Sequence, residues 1–96
     1  MTRHAAARPD EIAAMARVFY RQGWMPGTAG NISALDGADT ALITGSGIHK
    51  GDLAARDLVR VRIDDATSIS PNGVRPSAET AIHMAVYRAT NAEAVV

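Results

Sequence analysis

The sequence predicts an α/β domain, and three observations carry that reading. Apolar residues recur at helical spacing over 9–21 and again over 78–89. Two short apolar runs, 31–35 and 40–44, flank an Asp36-Gly37 turn signal. Leu58-Val59-Arg60-Val61-Arg62-Ile63 alternates apolar and charged residues, the pattern of a strand with one face in water.

Each element follows in order from its residues. Pro9 suits the first turn of a helix, and Asp10 and Glu11 complement the positive end of its dipole. Ile12, Met15, Ala16 and Phe19 fall at i, i+3, i+4 and i+7, and Gly23 stops the helix shortly after Arg21. Trp24-Met25-Pro26-Gly27 predicts a turn holding a large buried anchor. Asn31 to Leu35 and Thr40 to Thr44 form an antiparallel hairpin with a loop longer than the tightest type. Asp52 to Asp57 reads as a helical turn, and Asp64 to Arg75 as a loop rich in Asp, Ser, Pro, Asn and Gly. Ser77 caps a second helix, Ala78 to Ala89, which packs Ile82, Ala85, Val86 and Ala89 inward. Asn91 then turns the chain into Ala94-Val95-Val96, an apolar run with strand character. An end inside such a run predicts part of a single domain, spanning 1–96.

Composition bounds the function classes. The 96 residues are 47% hydrophobic, yet contain one Trp, one Phe and two Tyr, so the core is thin. A chain of this size buries only about 60–65% of its unfolded surface. Ten basic and ten acidic residues balance, without the basic stripe that nucleic acid requires. Cysteine is absent, which excludes disulfides and thiolate metal sites. No apolar run approaches the roughly 20 residues of a membrane span, and the N-terminal residues lack the apolar core of a signal peptide. A cytoplasmic protein without nucleic-acid or membrane partners is the expectation.

Three segments bear chemistry: Gly27-Thr28-Ala29-Gly30-Asn31-Ile32-Ser33, Thr44-Gly45-Ser46-Gly47 and Pro76-Ser77-Ala78-Glu79. Glycines let backbone approach a ligand, while N–H groups, hydroxyls and helix N-termini attract an anion without a full positive charge. Taken alone, each segment reads as a plain turn; three together, with Glu79 beside them, point to a phosphorylated small molecule and proton-transfer chemistry. Glu79 also reads as a surface residue that complements the helix dipole. Gly45-Ser46-Gly47 with Gly51 is one residue too long for a dinucleotide fingerprint, and His49 stands where a phosphate-binding NTPase loop needs glycine before Lys50. A lone loop lysine such as Lys50 is ordinarily solvated. His83, one turn beyond Glu79, either bonds it or sits at the core edge. His4, His49 and His83 lack metal-ligand spacing, so these residues alone predict no metal site.

Gly23-Trp-Met-Pro-Gly-Thr-Ala-Gly-Asn-Ile-Ser33, Ile43-Thr-Gly-Ser-Gly-Ile-His-Lys-Gly-Asp-Leu53 and Pro76-Ser-Ala-Glu-Thr80 resemble the class II aldolase family, most narrowly its methylthioribulose-1-phosphate dehydratase branch. The resemblance runs from about residue 10 to Val96. It implies a three-layer α/β/α sandwich around a mostly antiparallel sheet, incomplete here, in a chain roughly twice as long. It implies a phosphorylated ketose substrate, a lyase that loses water from it, and a homo-oligomer, by resemblance a tetramer. Carried over residue by residue, it makes Asn31, Thr44, Gly45, Ser46 and Ser77 the phosphate contacts and Glu79 the catalytic carboxylate or a substrate-positioning one. Ala78 replaces a serine found in aldolase members, which fits the dehydratase branch better than the alternatives of a sugar-phosphate aldolase or epimerase. The implied zinc ion is held in that family by three histidines, the first two an H-x-H pair directly after a strand like Ala94-Val95-Val96. On this reading the 96 residues hold the phosphate cradle without the metal ligands, and act as an inactive part of the enzyme or as a non-catalytic fragment.

Overall fold

The computed structural model describes residues 9–24, 30–69 and 73–96. Helix α1 spans Pro9–Arg21, with Asp10 and Glu11 in its first turn and Arg21 in its last, so both ends complement the dipole. Strands β1 (Ser33–Leu35), β2 (Thr40–Thr44) and β3 (Leu58–Arg62) follow, then helix α2 (Thr80–Ala89) and strand β4 (Ala94–Val95). They form one antiparallel sheet in the order β3-β2-β1-β4. Ser33 faces Ile43 on one side and Val95 on the other, and Thr44 faces Leu58. The predicted hairpin is closed by the Asp36 N–H donating to the Thr40 carbonyl at 3.1 Å and the Thr40 hydroxyl donating to Asp36 Oδ1 at 2.6 Å.

Two apolar clusters separate by the period-two alternation of the strands. Ala34, Leu42 and Leu58 turn toward Ile12, Ala13 and Ala16 of α1. Leu35, Ala41, Ile43, Val59 and Val61 turn the other way, toward Met84 and Tyr87 of α2. The helices therefore cover opposite faces, giving helix, sheet and helix as three layers. Arg88 of α2 ties itself to the turn after β3 by donating to the Ile63 carbonyl.

Several expectations are corrected. The first strand begins at Ser33, leaving Asn31 as half-buried coil. The turn over 52–57 is two 3₁₀ turns, Lys50–Asp52 and Ala55–Asp57, broken by extended Leu53 and Ala54. Trp24 is 68% exposed and leans on Phe19 at 5.3 Å between ring centroids, so it is no buried anchor. Helix α2 starts two residues late and buries a different stripe. Thr80, His83, Met84 and Tyr87 face the sheet, while Ile82 is 61% exposed. Polar atoms on that stripe find partners on β1 and in the helix lead-in, which removes the cost that would otherwise turn them outward. Lys50 is not solvated either: it is 1% exposed, donates from Nζ to the Ile48 carbonyl at 3.0 Å, and burial pushes its ammonium pKa down. The segments 25–29 and 70–72, which hold the expected Pro26-Gly27 turn and part of the long loop, lie outside the described residues.

Candidate functional site

The lead-in to β1 meets the start of α2, and a cleft of about 430 Å³ opens between them. Asn31, Glu79 and His83 line it, with Trp24, Ile82, Val95 and Val96 as apolar walls. Gly30 enters the cleft at φ +81, a left-handed conformation that favours glycine. Asn31 stands one residue beyond it and is held in place by His83, whose Nε2 hydrogen-bonds Asn31 Oδ1. On the other side of the ring, His83 Nδ1 bonds Ser33 Oγ at 2.6 Å, and the same oxygen bonds the Tyr87 hydroxyl at 2.6 Å. His83 is 3% exposed, and burial lowers its pKa against the opposing pull of the Glu79 carboxylate. At neutral pH it is the uncharged imidazole.

The remaining predicted residues gather one step away, where the end of β2 meets the lead-in to α2. Gly45 pairs with Pro76 in an isolated bridge, and the Ser77 N–H donates to the Thr44 carbonyl at 3.1 Å. Only glycine fits at position 45, because a Cβ would stand 2.7 Å from both the Asp57 carbonyl oxygen and Val74 Cγ1. The backbone donors at this junction are spent inside the fold: Gly45 N–H on Asp57 O at 2.9 Å and Ser46 N–H on Arg75 O at 2.8 Å. The expectation of free amides converging on an anion is thus corrected for Gly45, Ser46 and Ser77, and side chains must supply the donors. Thr44 is wholly buried, and its Oγ1 accepts from the Ile32 N–H at 3.3 Å. Ser46 is exposed. Ser77 Oγ accepts from the Glu79 N–H at 3.1 Å and its carbonyl takes the Thr80 hydroxyl at 2.5 Å, fixing Glu79 at the N-cap of α2. The structure therefore brings Asn31 and Glu79 together in the cleft, and Thr44, Gly45, Ser46 and Ser77 are not part of its lining.

The sequence offers His83 either a bond to Glu79 or a place at the core edge and assigns no role to Ser33 or Tyr87, whereas the structure bonds the buried ring to Ser33 and Asn31. The available signal was spacing: His83 and Tyr87 lie four residues apart, on one helical face. For metal, no three of His, Asp and Glu stand together among the described residues. Both ring nitrogens of His83 are engaged, and His49 Nδ1 accepts from the Gly51 N–H at 3.1 Å, with Asp52 at 3.8 Å as its one nearby carboxylate among the described residues. The described residues do not fit the ligand set that the resemblance implies.

Residues 10–96 match the model of the Class II Aldolase and Adducin N-terminal domain. The chain belongs to that family. A bifunctional protein of Nocardia farcinica, named for methylthioribose-1-phosphate isomerase and methylthioribulose-1-phosphate dehydratase, is 60% identical over 92 residues, which are 95% of this chain and 16% of that protein. Methylthioribulose-1-phosphate dehydratase of Leptospira biflexa is 44% identical over 81 residues, covering 81% of this chain and 39% of the relative. This family member thus spans less than half the length of these curated relatives. Among solved structures, YgbL from Escherichia coli superposes with a TM-score of 0.81 at 32% identity, over 90% of this chain and 41% of that one. L-fuculose-1-phosphate aldolase from Thermus thermophilus does so with a TM-score of 0.70 at 34% identity, over 94% and 46%. The mostly antiparallel sheet layered between helices is therefore the class II aldolase fold in part.

Proposed function

We propose that this chain carries the phosphate-binding side of a lyase site that dehydrates a phosphorylated ketose, 5-methylthioribulose 1-phosphate, within methionine salvage in the cytoplasm. The observation that carries the reading is the shared cleft, where the Asn31 carboxamide and the Glu79 carboxylate face the same volume. Loss of water from a ketose needs a proton removed beside the carbonyl and a hydroxyl expelled from the next carbon. A carboxylate near a phosphate-anchoring amide supplies a proton acceptor at a defined distance from the anchored end. Asn31 and the hydroxyls of Thr44, Ser46 and Ser77 are assigned to the phosphate, with Gly45 giving the close backbone turn. Glu79 is assigned to the proton, or to orienting the substrate. The 60% identity to the Nocardia farcinica protein supports dehydration over aldol cleavage. The family suggests a divalent metal, in our reading zinc, in a homo-oligomer; no step is assigned through it, since the described residues do not form its site.

Two measurements test this. Inorganic phosphate titrated into the chain should shift the Asn31 side-chain amide resonances, and Asn31→Ala should weaken the binding by about 1–3 kcal/mol. In an active dehydratase carrying these residues, Glu79→Gln should lower kcat by about 10²–10⁴-fold if the carboxylate moves the proton. A rise in KM with kcat intact assigns it to positioning instead. Product analysis separates dehydration from cleavage or epimerisation. Unchanged kcat and KM would remove Glu79 from the site.

A further inference from the structure

Four side chains, two on α2, one on β1 and one in the coil before it, join end to end in the order Tyr87, Ser33, His83, Asn31. Donors and acceptors along this chain cannot be chosen independently. Neutral imidazole has one N–H and one bare nitrogen. Because Nε2 faces the carbonyl oxygen of Asn31, which only accepts, Nε2 carries the proton. Nδ1 is then the acceptor, and the single Ser33 proton is committed to it. The Tyr87–Ser33 contact must therefore run from the Tyr87 O–H to Ser33 Oγ. Every link fixes the next, down to the face that the Asn31 carboxamide shows the cleft. We propose that Tyr87, Ser33 and His83 are positioning residues whose directional hydrogen bonds hold the Asn31 NH₂ toward the cleft as the donor to a phosphate oxygen.

The reversed chain is the alternative state. There Asn31 would donate to Nε2, Nδ1–H to Ser33 and Ser33 to Tyr87, leaving the Asn31 oxygen pointing at the ligand. The charge of the cleft selects the forward direction. Glu79 lines the same cleft, so the positive end of the carboxamide dipole is favoured there and a second acceptor is not. In that direction no described residue takes a hydrogen bond from Asn31 Nδ2, so its protons face a ligand. Serine, histidine and tyrosine here are buried at 0%, 3% and 0% exposure, so water does not compete for the links.

The inference rests on Asn31 being a phosphate contact, and the test keeps the two apart. Imidazole ¹⁵N spectra of the chain report the tautomer without any ligand, while inorganic phosphate probes the anion site. The expected result is His83 as the Nε2–H tautomer in the wild type. Ser33→Ala should mix the tautomers and weaken phosphate binding about tenfold. Tyr87→Phe keeps the ring in the core and removes only the hydroxyl. It should move both readouts the same way by a smaller amount, and decides the question if Ser33→Ala fails to fold. An Nδ1–H tautomer in the wild type overturns the proposal. So does an unchanged tautomer and phosphate affinity in both variants. If the relay behaves as expected but Asn31→Ala leaves phosphate affinity intact, the phosphate reading of Asn31 falls, and with it the donor role assigned to the relay.

Discussion

A single histidine holds two consequences for this protein. Burial lowers the pKa of His83, while the Glu79 carboxylate pulls it back up. The unfolded chain, with an ordinary value near 6.5, therefore takes up the proton first as the pH falls. The contribution of the buried neutral ring is complete above about pH 6.5 and drains away below it. Urea melts at about pH 8 and about pH 5.5 should show a larger acid loss in the wild type than in His83→Gln. The groups facing the ring are Asn31, Ser33, Tyr87 and Glu79, and Glu79→Gln, which removes the carboxylate that raises the His83 pKa, should move the His83 titration lower still. At this scale the sequence was partly legible. Asn31 and Glu79, which stand out in the sequence by their glycine-rich or helix-starting neighbours, line one cleft. His83 does not stand out, because its meaning depends on Ser33, fifty residues away.

Helices and strands were the most readable level, and the exception is instructive. Helix α1 has the predicted bounds, since its proline and acidic first turn agree, but of its expected stripe Met15 is 48% exposed while Ala13 is buried beside Ile12 and Ala16. For α2 the apolar residues Ile82, Ala85, Val86 and Ala89 suggested one inward face, but the helix turned Thr80, His83, Met84 and Tyr87 inward. Hydrophobicity alone ranks His and Tyr below Ile, whereas satisfied polar groups at a core edge reverse the ranking. Met84→Ala should accordingly cost about 2–5 kcal/mol, as loss of a fully buried side chain does, and Ile82→Ala no more than about 0.5 kcal/mol. Guanidinium denaturation of the two variants checks the assignment of the faces. Equal losses would mean that the exposed residue is buried in solution.

For the molecule as a whole, the two ends of the sheet differ. Beyond β3, residues 67–69 return alongside: Arg62 N–H donates to Thr67 O and Ile69 N–H to Arg60 O, each at 2.9 Å. No described strand pairs with the outer side of β4, and Trp24, Ile82 and Val96 stand exposed around the neighbouring cleft. An open edge beside apolar side chains favours association. Sedimentation of the chain should show concentration-dependent species larger than the monomer, and Ile82→Lys should shift them toward the monomer. A monodisperse wild-type monomer would show that the edge is protected. The three-layer order was legible only through the family resemblance. Short strands with a thin core do not by themselves say which helix covers which face, a matter decided by the alternation along β1, β2 and β3.

Gly45 joins these scales. Its N–H is held by Asp57, its backbone is bridged to Pro76, and a Cβ there would strike both Asp57 O and Val74. This residue fastens the end of β2 to the segment that launches α2 and carries Glu79. An anion that engages the Thr44 and Ser77 hydroxyls on either side would clamp that fastening and slow its local opening. Amide hydrogen exchange should then record ligand occupancy as deeper protection at Gly45, Ser46 and Ser77, while the amides of α1, on the opposite face of the sheet, keep their unliganded rates.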